Sequence, residues 1–262
     1  MSISVRNLIV FVSAAAFGIM AAGPAEAFEI VGLPGSTWGQ VTHDADSGLT
    51  GTGFMGFVNQ GIDWTKLPGD ITLNTFVEYR YRTRTENSTY YDTQGPAIGI
   101  ELKKTYFRLG ADYYRERLTE LDRTSDNKEF YFSWYYDWDL RGRAPWFKWG
   151  RALPGSTWGF LSYDMNSING SGAMGFVNQG IDWAVLPGDV VFNTFAEYRH
   201  RSRTRNKDYY DAEGPAIGIE FRKSYFRFGI DYYWERFTAL GESSNKFQYY
   251  VTWFYDWNLK KP

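Results

Sequence analysis

The sequence predicts an all-β fold, an antiparallel up-and-down transmembrane β-barrel of about twelve strands formed by internal duplication of a six-stranded unit. Three observations lead there. Long segments alternate apolar and polar residues with a period of two, the connections between them alternate long and short, and nearly all of the chain after residue 32 is written twice.

Residues 1–27 stand apart from that pattern. Arg6 precedes an apolar stretch at residues 8–22, and Ala25-Glu26-Ala27 gives the small-x-small pattern of a signal-peptidase site before Phe28. The expectation is a signal peptide over residues 1–27 and a single barrel domain over residues 28–262. The apolar stretch is short for a bilayer-spanning helix of about 20 residues, and no later segment is apolar enough to be one. An exported chain with no cysteine must draw its stability from sheet pairing, packing and ion pairs. Export leaves the periplasm, the outer membrane of a Gram-negative cell, or the medium, and the strand pattern selects the outer membrane.

Composition agrees with that choice. Aromatic residues make up 19% of the chain, with Trp 11, Tyr 20 and Phe 20, yet charged residues reach 22% and the mean hydropathy is −0.44. A membrane barrel reconciles the two, because lipid-facing apolar positions alternate with polar ones facing inward. A formal net charge of −2 without an unopposed basic stretch excludes a nucleic-acid partner. The two histidines, His43 and His200, are not at equivalent repeat positions, so a duplicated histidine metal site is ruled out; no cofactor or metal is expected, although a site built from carboxylates alone stays open.

The repeat is explicit. Leu33-Pro34-Gly35-Ser36-Thr37-Trp38-Gly39 returns as Leu153-Pro154-Gly155-Ser156-Thr157-Trp158-Gly159, and residues 55–64 return unchanged as 174–183. Residues 95–101 match 214–220, and Tyr136-Asp137-Trp138 matches Tyr255-Asp256-Trp257. A period of about 119 residues is far too long for a solenoid or propeller unit. It defines repeat one at residues 33–140, a connector at 141–152, and repeat two at 153–259. The connector carries Trp146 and Trp149 and is too aromatic for a free linker, which favours two halves packed into one body.

Six strands are expected per copy, in the first at residues 37–43, 54–64, 71–85, 97–103, 106–118 and 129–138. Over residues 72–84, Leu73, Thr75, Val77, Tyr79 and Tyr81 share one face, while Asn74, Phe76, Glu78, Arg80, Arg82 and Arg84 share the other. Later strands likewise set Phe107, Leu109, Ala111 and Tyr113 against Arg108, Gly110, Asp112, Tyr114 and Glu116. Long polar loops are expected at residues 44–53, 86–95 and 119–128, and short turns at 66–70 and 103–105. Long connections at one end and short ones at the other are the pattern of outer-membrane barrels, with the short turns periplasmic. Trp64, Trp138, Trp183 and Trp257 fall at strand ends on the short-turn side, where they would form an aromatic girdle.

The strand Glu78-Tyr79-Arg80-Tyr81-Arg82 and its copy Glu197-Tyr198-Arg199-His200-Arg201 resemble strands of Gram-negative outer-membrane β-barrel proteins, and in particular of the small monomeric porins for acidic oligosaccharides. The resemblance implies about twelve strands around a basic lumen. The chain departs from the pattern where it runs past Trp257 through Asn258-Leu259-Lys260-Lys261-Pro262, in place of a terminal aromatic residue, and in its internal repetition.

Inward polar faces would line the lumen with Glu78, Arg80, Arg82, Arg84, Glu101, Arg108, Asp112 and Glu116 from the first copy, and with Glu197, Arg199, Arg201, Arg203, Glu220, Arg227, Asp231 and Glu235 from the second. The main expectation is a channel or transport component for small polar, anionic or saccharide solutes, with the arginines as stepping sites and Tyr114, Tyr131 and Tyr233 as stacking surfaces. The alternatives are a non-conducting structural or ligand-binding barrel, plugged by its own salt bridges, and a soluble periplasmic β-sandwich. Enzymatic activity is not expected. A glycosidase would use Asp112 and Glu116, but that pair recurs as Asp231 and Glu235. A lipase would need His200 and Ser202, which the alternation places on the lipid side. The expected partners are outer-membrane lipid and a solute. The loops bearing Tyr90-Tyr91 and Tyr209-Tyr210 offer docking points for polysaccharide, phage or an envelope protein, with an upper aromatic girdle as their simpler role.

Overall fold

A computed structural model describes residues 29–45, 50–141 and 150–260. The expected signal peptide and the middle of the connector lie outside the described residues. The rest forms twelve strands: β1 (Pro34–Asp44), β2 (Thr52–Leu67), β3 (Ile71–Arg84), β4 (Thr93–Lys104), β5 (Phe107–Leu118), β6 (Arg123–Asp139), β7 (Pro154–Asp164), β8 (Gly172–Leu186), β9 (Val190–Arg203), β10 (Ala212–Lys223), β11 (Phe226–Phe237) and β12 (Glu242–Asn258). Each pairs antiparallel with its sequence neighbours, and β1 pairs with β12 from Pro34↔Asn258 to Asp44↔Gln248, which closes the barrel. Closure leaves no edge strand with unpaired backbone groups, the condition for a sheet to cross lipid. A sandwich of two sheets around an apolar core, the soluble alternative, is thereby excluded.

The two halves repeat in detail. Gly35↔Gln60 between β1 and β2 corresponds to Gly155↔Gln179 between β7 and β8. The register shift at Asp63/Thr65 recurs at Asp182/Ala184. Short turns at residues 68–70 and 187–189 place Asp70 and Asp189 at positive φ directly after a glycine, a conformation that tightens the reversal.

A loop expected from the sequence is corrected. The connection between β5 and β6 is not a long loop over residues 119–128 but the four residues 119–122, turning on Asp122 at φ 46°. Residues 123–129 continue as strand with inward Ser125, Asn127 and Glu129 buried and the intervening residues exposed. A strand that rises beyond the bilayer can be polar on both faces, and so reads as loop. At the opposite end, the connector between β6 and β7 spans residues 140–153, which makes it the longest connection on the otherwise short-turn side.

The outer wall carries the aliphatic and aromatic residues. Val58, Val77, Ile98, Leu109, Ile217 and Phe228 are all exposed, and Ile98 reaches 59%. A continuous apolar exterior of this kind is incompatible with water and matches a hydrocarbon environment. Below it, at the short-turn end, Trp64 Nε1 donates to Thr75 Oγ1 at 2.8 Å, and Tyr106 packs edge-on against Tyr136 with centroids 4.8 Å apart. The same arrangement joins Trp183 to Thr194 and Tyr225 to Tyr255. Amphipathic rings at that level suit the headgroup boundary. Inside, the fully buried side chains include Leu118 and Phe237, at the far ends of β5 and β11.

Candidate functional site

The sequence-predicted lumen residues all lie on the inner face of the barrel, with Arg108 and Arg227 at its more exposed end. Three layers follow each other along the barrel axis, beginning at the long-loop end.

The first layer is the mouth, held by Arg84 at the end of β3 and Arg203 at the end of β9. The Arg84 guanidinium donates through Nε to the Asn87 carbonyl at 3.0 Å and stacks 4.3 Å from the Tyr91 ring centre. Its Nη1 also crosses to the other half and donates to the Tyr209 carbonyl at 3.1 Å. Arg203 repeats the arrangement on Asn206, Tyr210 and the Tyr90 carbonyl, the last at 3.3 Å. Asp92 and Asp211 accept from the backbone N–H groups of Arg84 and Arg203, each at 2.8 Å, and so fix the loop roots. Tyr91 and Tyr210 are buried at 8% and 6% exposure beneath these arginines. The expected upper girdle is therefore corrected for those two: their rings fill the mouth, where the arginine cations favour them over lipid.

The second layer contains Arg80, Arg82, Arg199, Arg201 and most of the carboxylates. Arg80 bridges Glu78 at 2.6 Å, Glu129 at 2.7 Å and Asp112, and lies 5.0 Å over the Tyr114 ring. Arg199 does the same with Glu197 at 2.5 Å, Asp231 and Tyr233, with Gln248 in the place of Glu129. Arg82 faces Glu116 at 3.6 Å and Arg201 faces Glu235 at 2.9 Å. Each also donates to a mouth carbonyl, of Tyr91 and Tyr210 respectively. A lysine that the alternation in residues 129–138 and their copy did not reach, Lys246 on β12, joins Asp44 at 2.8 Å and Glu235 at 2.9 Å. Lys246 was hidden because the counterpart of residues 119–128 read as loop, Asp44 opened the loop expected at 44–53, and Glu129, at the first position of the strand expected at 129–138, was not singled out. Despite this pairing, the side chains of Arg80, Arg82, Arg199 and Arg201 keep 22–26% of their surface accessible.

The third layer faces the short-turn end. Tyr131 donates to Glu101 at 2.9 Å and Tyr250 to Glu220 at 3.2 Å. Arg108 approaches Glu101 at 3.7 Å but is more than half exposed, and Arg227 is exposed at the equivalent place, so both stand in an open vestibule. Lys103 pairs with Asp63 at 2.5 Å, and Arg222 with Asp182, contacts that alternation alone did not single out. The carboxylates of a hypothetical glycosidase, Asp112 and Glu116, are both committed, the first to Arg80 and the second to Arg82 and to Asn127 at 3.1 Å. Among the described residues, no group of three or more His, Asp or Glu side chains is arranged to hold a metal ion.

A closed twelve-stranded antiparallel barrel with an apolar exterior and a charged interior is a transmembrane β-barrel of the bacterial outer-membrane class. Neither a known protein family nor a curated protein matches the sequence. Solved structures similar to it include LpxR from Salmonella typhimurium, at 12% identity over 84% of this chain and 100% of that one, with a TM-score of 0.41. An outer membrane channel from Pseudomonas putida F1 is 9% identical over 90% of this chain and 100% of that one, with a TM-score of 0.38. The KdgM porin, solved in complex with disordered oligogalacturonate, is 7% identical over 83% of this chain and 98% of that one, with a TM-score of 0.33.

Proposed function

We propose that the protein is an outer-membrane channel component for small polar, anionic or saccharide solutes, with a central arginine belt as its selectivity zone and a latched outer mouth. The observation that carries this reading is the partial accessibility of Arg80, Arg82, Arg199 and Arg201 in mid-lumen. Guanidinium groups held by neighbouring carboxylates, yet still open to solvent, offer a passing anion or hydroxyl-rich solute a ladder of bidentate donors. The vestibule with Arg108 and Arg227 gives entry from one side. From the other, the Tyr90 and Tyr209 segments close the mouth through single cross-lumen hydrogen bonds, which release of the loops would break.

The test is the conductance and reversal potential of the refolded protein in a planar bilayer under a salt gradient. The expected result is discrete steps with anion preference, moving toward cations when Arg80, Arg82, Arg199 and Arg201 are replaced by glutamine. Selectivity unmoved by those four changes removes the belt from the pathway. A second reading, a permanently plugged barrel, is favoured by the cavity beside Asp44, Arg84, Tyr91, Arg201 and Lys246, which at about 50 Å³ holds only a few waters. Insertion without steps, even after the mouth arginines are removed, would select it.

A further inference from the structure

Among the positions at which the two halves differ, four fall together on the outer wall. On the outer wall of β3 and β4 the first half places Tyr81, Thr83 and Gln94, with Phe54 beside them on β2. The second half carries His200, Ser202 and Glu213 at these positions, and Ala173 in place of the phenylalanine. His200 Nε2 lies 3.2 Å from Ser202 Oγ, and His200 Nδ1 lies 3.5 Å from Glu213 Oε2. Each imidazole nitrogen thus faces one partner, serine on one side and carboxylate on the other, and Tyr198 is hydrogen-bonded to Glu213. In the first half the matching tyrosine, Tyr79, merely donates to Gln94 at 3.0 Å, and Phe54 packs 5.2 Å from the Tyr81 ring over the equivalent ground.

We propose that this constellation is a serine hydrolase site for acyl esters of lipids in the adjoining leaflet. It is independent of the lumen reading. Ser202 is the penultimate residue of β9 and Glu213 the second of β10, so the site sits at the long-loop end of the outer wall, where the proposal places the ester linkages of the adjoining lipids. Ala173 and Gly175, opposite Ser202 and His200 on β8, leave the ground beside the nucleophile bare for an acyl chain. A carboxylate facing Nδ1 favours the tautomer that carries its proton there, which leaves Nε2 free to accept from the serine hydroxyl. Ser202 Oγ attacks the ester carbonyl carbon while its proton passes to Nε2. The tetrahedral adduct then collapses, the carbon–oxygen bond to the alcohol breaks, and the leaving oxygen takes the proton from Nε2. Water, deprotonated by the same nitrogen, hydrolyses the acyl-serine to a free fatty acid and restores the hydroxyl. The acid orients the imidazole and stabilises its charged form, and so acts as a positioning residue.

The test uses the full chain in detergent micelles. A long-chain fluorophosphonate should label Ser202, located by peptide mass spectrometry, and fatty acid should be released from mixed micelles of phosphatidylglycerol or from purified lipid A. Release from one and not the other identifies a glycerol-linked or a sugar-linked ester as the substrate. Ser202→Ala and His200→Gln should each abolish labelling at the serine and lower release by about a thousandfold or more. Glu213→Gln, which installs the residue of the first half, should lower the rate while Glu213→Asp restores part of it. Unchanged heat-modifiable gel mobility confirms that each variant is folded. A wild-type chain that takes no label at Ser202, or releases fatty acid no faster than folded Ser202→Ala, overturns the proposal.

Discussion

The guanidinium of Arg84 donates across the barrel mouth to the backbone carbonyl of Tyr209, 3.1 Å away and 125 residues along the chain. Its counterpart Arg203 reaches the Tyr90 carbonyl in return. Each half thus holds the other half's loop by reciprocal contacts across the mouth. A hydrogen bond from a charged donor is worth about 1.5–3 kcal/mol. The double variant Arg84→Ala/Arg203→Ala should accordingly shift the closed-to-open balance by about a hundredfold or more, read as a rise in open probability in single-channel records.

Arg80 anchors the belt. Arg80→Ala would leave Asp112, whose side chain is wholly buried, and Glu129 without their cation. Uncompensated buried charge costs about 3–5 kcal/mol, and the partial exposure of Arg80 places the expected loss near the lower end. Urea unfolding from lipid vesicles measures it. Adding Asp112→Asn should recover part of the loss, and a double variant as unstable as the sum of the singles would mean the two groups are not coupled.

Much of this was legible in the sequence, and the limits were physical. Period-two alternation in residues 72–84 assigned Arg80, Arg82 and Arg84 to the lumen, because a slip of one residue would expose all of them to lipid. Alternation gives faces but not heights, so it could not show that Arg84 lies at the mouth beside a loop while Arg80 lies at the belt among carboxylates. Residues 119–128 hold one apolar residue, Leu121, and a strand segment polar on both faces has no apolar period to detect, so Lys246 in the counterpart segment was lost to the site with it. His200 and Ser202 were visible as neighbours on the outer wall. Glu213 was not, since its place opposite His200 depends on the register of β9 with β10.

The lipid-facing assignment is tested at mid-wall. Ile98 on β4 pairs with Val77 on β3, both fully outward. Ile98→Arg should destabilise the folded barrel by about 2–4 kcal/mol, as a cation at the bilayer midplane does, whereas Ile98→Leu should be nearly silent. The same unfolding measurement in vesicles checks it, and equal stability of the two variants would remove residue 98 from the hydrocarbon zone.

Gly110 on β5 is required by the ring beside it. A Cβ there would overlap Tyr131, whose hydroxyl is held by Glu101. Gly110→Ala should displace that ring, weaken the bond and cost about 1–3 kcal/mol, the usual penalty of overpacking. Gly229→Ala should behave alike through Tyr250, and the two substitutions, far apart, should add.

The barrel closes where β12 meets β1, and there Leu259 N–H donates to the Leu33 carbonyl at 3.0 Å. Leu140 N–H donates to the Leu153 carbonyl at the same distance where β6 meets β7. The molecule therefore has two like seams, one bridged by chain and one open. Neither is privileged by backbone pairing, so a chain severed in the connector still holds, in each six-stranded piece, the two edges its complement needs. Such fragments are matched staves of one cask, and co-refolding them in micelles offers a route to mixed barrels in which a single half carries an altered mouth, belt or outer wall.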